Sequence, residues 1–145
     1  MLVVAIPALV GCPPAADLLA EIKLLVNPPP PGGSLDESFG NGGIATIPIG
    51  SGNDGGSSAA VQSDGKILVA GDSFNGTNED FAIVRYNSNG SLDTGFGSGG
   101  KVTTQIGSSD DGGSSAAVQS DGKILVAGDS FNGTNYDFAI VRYWP

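Results

Sequence analysis

A chain of 145 residues has room for one ordinary domain, but 24 glycines and a charged fraction of only 14% argue for short elements joined by tight turns, not long helices. Six basic against fifteen acidic side chains leave a net charge of −9. This sets aside nucleic acid and anionic membrane surfaces as partners, since both are held by Lys and Arg. With no histidine and a single cysteine, Cys12, the chain has no Ser-His-Asp or Cys-His chemistry, no His-ligated metal and no internal disulfide framework.

The chain begins with an apolar run, Met1–Leu9, that leads into Leu9-Val10-Gly11-Cys12. That tetrapeptide resembles a bacterial lipoprotein lipobox, which implies removal of Met1–Gly11, lipidation of Cys12 and membrane attachment through that anchor alone. Against it, no Lys or Arg precedes the apolar run. The run is also far shorter than the roughly 20 residues that span a bilayer. The competing readings are a short buried segment with an inert thiol, or a start codon placed too late. Asp17–Val26 has the pattern of a short amphipathic helix with Asp17 as N-cap. Pro28–Pro31 then end any helix in a stiff spacer. Residues 1–32 thus read as an apolar and helical segment with a Pro-rich linker.

From there the chain repeats. Gly33–Tyr86 aligns with Gly90–Tyr143 at a constant offset of 57, with ten differences in 54 positions and identity from Asp54 to Asn78. Residues 33–89 and 90–145 are therefore two copies of one unit. Each copy predicts four short strands. The first is Ile44–Ile49, or Lys101–Ile106, where Val102, Thr104 and Ile106 alternate with polar residues. Pro48, equivalent to Gln105, cannot donate to a ladder, which predicts an unpaired edge there. The second strand, Ser57–Gln62, is small and weakly apolar. Ser63-Asp64-Gly65-Lys66 then predicts a hairpin with a type I′ turn. The third, Ile67–Ala70, is an unbroken apolar run suited to burial on both faces. The fourth, Phe81–Tyr86, has Arg85 as its only charge and is followed by turn residues Asn87–Gly90. No helical periodicity follows Gly33.

The fold class predicted is all-β: two four-stranded antiparallel β-propeller-type blades on a 57-residue repeat. A pair of hairpins in a sandwich leaves the regular period without a reason, and a β-solenoid has a shorter repeat.

Three motifs, Gly33–Gly43, Asp54–Gly71 and Asp80–Asn87, recur at Gly90–Gly100, Asp111–Gly128 and Asp137–Tyr143. Together they resemble the bacterial delta-60 repeat. The resemblance covers Gly33–Tyr143 and implies β-propeller blades of a kind found in secreted or surface-attached bacterial proteins. It brings no catalytic residues. The chain departs from the family in holding only two copies. A blade buries its faces against neighbours, so two blades leave two apolar faces bare. Further blades, from a longer protein or from other copies in a homo-oligomer, are the implied partners, and a head-to-tail contact closes into a ring or runs on as a filament according to its rotation angle.

The most oxygen-rich loop holds Asp72, Asn75, Asn78 and Asp80, repeated as Asp129, Asn132, Asn135 and Asp137. Calcium takes such oxygens around a glycine turn, but Phe74 stands where a ligand would be needed. The commoner reading is a turn built from Asn and Gly. No other cofactor is implied. Asn53-Asp54 and Asp110-Asp111 form the next acidic cluster, without a nucleophile nearby in sequence. Asp36 and Asp93 read as caps of local N–H groups, with Phe39 and Phe96 plugging the gap between blades. Arg85 and Arg142 need carboxylate partners, for which Asp72 and Asp80 are candidates. Recognition of a ligand is expected where the copies differ in loops, at Asn53 against Asp110 and Glu79 against Tyr136.

The resulting expectation is a non-catalytic scaffold or binding module, secreted or on a bacterial surface. The alternatives are a self-assembling filament or coat subunit and, behind it, a hydrolase or lyase with its site in a completed ring.

Overall fold

The strand patterns are realised as β1 (Asp54–Val61), β2 (Ile67–Phe74), β3 (Glu79–Tyr86), β4 (Lys101–Thr104), β5 (Asp111–Val118), β6 (Ile124–Phe131) and β7 (Tyr136–Tyr143). They belong to a computed structural model that describes residues 30–145. Cys12, the Met1–Gly11 run and the Asp17–Val26 helix lie outside the described residues. The β architecture forms one unit, Leu35–Pro145.

Two antiparallel sheets result, one of four strands in the order β1-β2-β3-β4 and one of three in the order β5-β6-β7. The fourth strand of the first sheet comes from the second repeat: Phe81, Ala82, Ile83 and Val84 pair with Thr104, Thr103, Val102 and Lys101. The sheet therefore spans the junction between the two repeats at 89 and 90. Its counterpart in the first repeat, Ile44–Ile49, forms no strand and only a single bridge between Gly40 and Ile44. The expectation of four strands in each blade thus holds for one sheet and not for the other, because among the described residues no segment pairs with the outer edge of β7.

Glycine-bearing segments join the sheets further than their propensities suggest. β1 starts at Asp54 and not Ser57, and β2 continues through Gly71-Asp72-Ser73 to Phe74. Pairing explains the extension: Gly55 and Gly56 lie opposite Asp72 and Gly71, and a Cβ on Gly71 would sit 1.8 Å from the Gly55 carbonyl oxygen. Only paired glycines allow that approach. A register shift between Gly56 and Ser58 recurs between Gly113 and Ser115. The Ser63–Gly65 turn differs from the predicted type I′. Among the described residues no non-glycine has a positive φ, and Gly65 alone in this turn does, at 83°. The Gly65 N–H donates to the Gln62 carbonyl and the Gln62 N–H to that of Lys66, at 2.9 and 2.8 Å. This is a type I turn closed by a left-handed glycine, the three-residue hairpin loop.

The core lies between the sheets. Leu68, Ala70, Phe81 and Ile83 of the first face Ile124 and Val126 of the second, flanked by Ala139, Val141 and Tyr143. Since directly paired residues share a face, the register shows that the two sheets present different faces to this core. The first uses the Leu68/Ala70/Ile83 side; the second uses the Ile124/Val126/Val141 side. Identical sequences therefore have unlike environments. Phe81 and Ile83 are fully buried, whereas their repeats Phe138 and Ile140 are 105% and 65% exposed. Likewise Val69 and Ile67 are only half-buried, so the run expected to be covered on both faces is covered on one.

Candidate functional site

The groups with chemical potential lie at three places: the β2–β3 and β6–β7 hairpin tips, the loops before β1 and β5, and the turn between repeats.

At the first hairpin tip, Asn75 Oδ1 accepts from the N–H groups of Thr77 (2.9 Å) and Asn78 (3.2 Å). Its Nδ2 donates to Asn78 Oδ1 (3.0 Å) and Asp80 Oδ2 (2.8 Å). Asn78 Nδ2 in turn reaches Asp80 Oδ1 (3.3 Å) and the Ser109 carbonyl of the next loop (2.7 Å). Asn132, Asn135 and Asp137 repeat the local part of the network. The side-chain oxygens thus accept amide protons in a turn whose Gly76 has φ 106°, the arrangement that Asn and Gly favour. Asp72 and Asp129 stand apart from it, in β2 and β6 opposite Gly55 and Gly112. Of the residues considered for calcium, Asn75, Asn78 and Asp80 share one network, as do Asn132, Asn135 and Asp137, while Asp72 and Asp129 lie outside it. Among the described residues no cluster of three or more His, Cys, Asp or Glu side chains is placed to hold a metal ion.

The loops that precede β1 and β5 are held by their carboxylates. Asp54 accepts from Ser73 Oγ (2.6 Å) and the Ile49 N–H (2.9 Å). Asp111, buried, accepts from the N–H groups of Ile106 and Gly107 at 2.8 and 3.1 Å. The Ser73 hydroxyl bond, and then the Ile49 N–H, hold the Asp54 carboxyl below its ordinary range. Asp72 is shifted the other way, by burial and then by the nearby Asp54 charge. Two of the positions where the repeats differ are brought together here: the Glu79 N–H donates to Asp110 Oδ1 at 3.1 Å, between one sheet and the next. The other two stand alone. Asn53 supplies its carbonyl to the Phe74 N–H at 2.9 Å, and Tyr136 packs its ring against Phe131 with centroids 5.0 Å apart.

The inter-repeat turn corrects one expectation. Arg85 pairs with neither Asp72 nor Asp80. Its Nε donates to Asp93 Oδ2 at 2.8 Å, and its guanidinium carbon lies 4.4 Å from the centre of the Phe96 ring. Asp93 Oδ1 still accepts from the Gly95 N–H at 3.2 Å, as a local cap. Asp36 does the same for Ser38 at 3.0 Å. One carboxylate thus orders the turn and neutralises a buried cation of the preceding repeat. The signal was an alignment one: Asp93 follows Arg85 by eight residues across the junction between copies, a relation hidden when each repeat is read alone.

Further ties link the two sheets. Thr104 Oγ1 and the Tyr143 hydroxyl lie 2.8 Å apart, and the Ala116 N–H donates to Ser58 Oγ at 3.1 Å. At the other end an open groove of about 620 Å³ separates Ile44–Ile47 from Tyr86 and Leu92.

A family model described as "Domain of unknown function (DUF5122) beta-propeller" matches residues 62–96 and 119–145. Both matches fall in the repeats, at corresponding places. No curated protein matches the chain. With its two antiparallel sheets, the chain is a β-propeller-like repeat protein.

Proposed function

We propose that this β-propeller-like chain, with repeats of the delta-60 type, is a non-catalytic scaffold or binding module that works by assembling with further blades. The observation that carries the reading is the contrast between equal residues. Phe81 and Ile83 are sealed by the neighbouring sheet, while Phe138 and Ile140 await one. Burying an apolar side chain of this size stabilises by about 1.5–3 kcal/mol, so an uncovered blade face is a strong drive to association. Asn75, Asn78 and Asp80 bond to one another, and Asn78 and Asp111 also bond to backbone, as scaffold residues do. Ligand recognition belongs in this reading to the displayed loops around Asn53, Glu79, Asp110 and Tyr136. A secreted or surface location, with lipidated Cys12 as the anchor, rests on the lipobox-like tetrapeptide and the repeat resemblance.

The test is the solution mass of the full chain across a concentration series by light scattering. Discrete multiples of the chain mass support assembly into rings, and continuous growth with concentration supports the filament or coat subunit. A mass that stays monomeric at every concentration, with no binding of hydrophobic dye, removes the reading.

A further inference from the structure

The first sheet contains a joint that the ends of the chain lack. Four things make the joint: Lys101–Thr104 lies along β3, Arg85 meets Asp93, Phe96 lies under the Arg85 guanidinium, and Leu92 bridges to Tyr86. Subtracting or adding the 57-residue offset converts each half into a group at an end of the chain. The donor half becomes Ile44–Ile47, Asp36, Phe39 and Leu35; the acceptor half becomes β7, Arg142 and Tyr143. Donor and acceptor halves are both present, and within one chain they do not meet.

We propose that Ile44–Ile47 of one copy adds as the outer strand to β7 of a second copy, antiparallel, pairing Ile44 with Val141, Ala45 with Ile140, Thr46 with Ala139 and Ile47 with Phe138, while Asp36 takes Arg142. The inference deepens the assembly reading above and rests on it: it names a second copy as the partner and fixes the register of the contact.

The donor is already shaped for this. The turns leading into the two segments are alike. The N–H of Asn41 donates to the Ile44 carbonyl and that of Ser98 to the Lys101 carbonyl, at 2.7 and 2.9 Å. The Gly43 and Gly100 N–H groups donate to Phe39 and Phe96, at 2.8 and 2.7 Å. Ala45 and Ile47 are half-buried while Ile44 and Thr46 are exposed, the alternation of an extended strand. A strand held extended before binding loses little further backbone entropy when it docks on a free sheet edge. Pro48 does not obstruct it, because its equivalent Gln105 lies beyond the end of β4.

The acceptor edge is equally specific. The Arg85 N–H donates to the Gly100 carbonyl at 2.9 Å. Antiparallel bonding alternates in steps of two, which makes Ile83–Val102 and Phe81–Thr104 the bonded pairs. In the contact between copies, Ala45 and Ile47 therefore supply the ladder N–H groups, and Thr46 with Ala139 is a non-bonded pair whose side chains approach closely. The same docking stacks the exposed Phe138 and Ile140 face against the half-buried Val69 of the next copy's first sheet, beside Ile47 and Ile49. Two separate elements of the second copy are satisfied by one placement.

Single-cysteine variants of the full chain test it, each carrying Cys12→Ser to remove the native thiol. Thr46→Cys and Ala139→Cys are mixed, oxidised and analysed for linked peptides by mass spectrometry; Cβ spacing in such a pair suits a disulfide. The expected result is a disulfide between the Thr46→Cys and Ala139→Cys chains at least tenfold above that between Thr46→Cys and the off-register Val141→Cys. Ala45→Pro should weaken association at least tenfold while leaving the unfolding midpoint of the dilute chain in place. Arg142→Asp should weaken it too, with recovery on mixing with Asp36→Arg. Association that persists without a preferred link between the Thr46→Cys and Ala139→Cys chains overturns the strand addition but leaves the assembly reading standing. A chain that never associates overturns the strand addition, and one that in addition binds no hydrophobic dye overturns both.

Discussion

Arg85 and Asp93 stand eight residues apart, one at the end of a strand and the other in the turn that opens the next repeat, and they meet at 2.8 Å with side chains only 10% and 15% exposed. Truncating the carboxylate strands a largely buried cation over Phe96. Asp93→Ala is expected to lower the unfolding free energy by roughly 2–3 kcal/mol, somewhat less than the value for a fully buried pair. Asp36→Ala, the same change one repeat earlier, leaves the midpoint of the dilute chain unmoved, since the exposed Asp36 carboxylate bonds to the N–H and hydroxyl of Ser38 and meets no cation among the described residues. Urea titrations of the two variants check this; equal losses would contradict the assigned pairing.

Phe81 and Phe138 give the matching comparison in the core. Phe81→Ala should cost about 3–5 kcal/mol as a cavity-forming change, whereas Phe138→Ala leaves the dilute chain's stability intact and reduces dye binding and self-association. Equal destabilisation by both would show that the two sheets are covered alike in solution.

Gly71 admits no side chain, because a Cβ would lie 1.8 Å from the Gly55 carbonyl oxygen. Gly71→Ala is expected to destabilise by at least about 2 kcal/mol through forced separation of β1 and β2. At Gly32, by contrast, nothing lies within 4 Å of the added atom and φ is not positive, so Gly32→Ala should be silent. Thermal unfolding by circular dichroism distinguishes the two.

Two carboxylates give opposite pH dependences. Asp54 is held below its ordinary range by Ser73, so its contribution is present above the unfolded value near 3.8 and is lost as pH falls through the lower folded value. Ser73→Ala should therefore flatten the acid limb of the stability profile below about pH 4. Asp72 is raised by burial and by Asp54, so folding favours its protonated form. Asp72→Asn should stabilise the chain at neutral pH, and the advantage should shrink as pH falls through the raised folded value toward 3.8. Denaturation midpoints at several pH values measure both slopes.

The sequence made the cores of the strands legible because their alternation is carried by large side chains: Phe81–Tyr86 and Ile67–Ala70 lie inside β3 and β2. It concealed the strand ends, where glycines with little β-propensity are recruited by a partner that sits close to them, as Gly55 is by Asp72. It also concealed that Lys101–Thr104 serves the preceding sheet, since local pattern identifies a strand but not the edge it joins. The hairpin-tip oxygens were legible as turn residues. Asp93's second role was not, because it depends on where two repeats meet in space.

The mismatch between where the repeat begins and where the sheet begins has a further consequence. Cutting such an array between repeats does not produce blunt fragments; it leaves an overhang at one end and a recess at the other, as a staggered cut leaves cohesive ends on a DNA duplex. Gene duplication that adds a whole repeat then lengthens the protein without creating a new kind of terminus. Under the strand addition proposed above, a short array and a long one share the same couplings, so that covalent and non-covalent extension become interchangeable ways of growing one object.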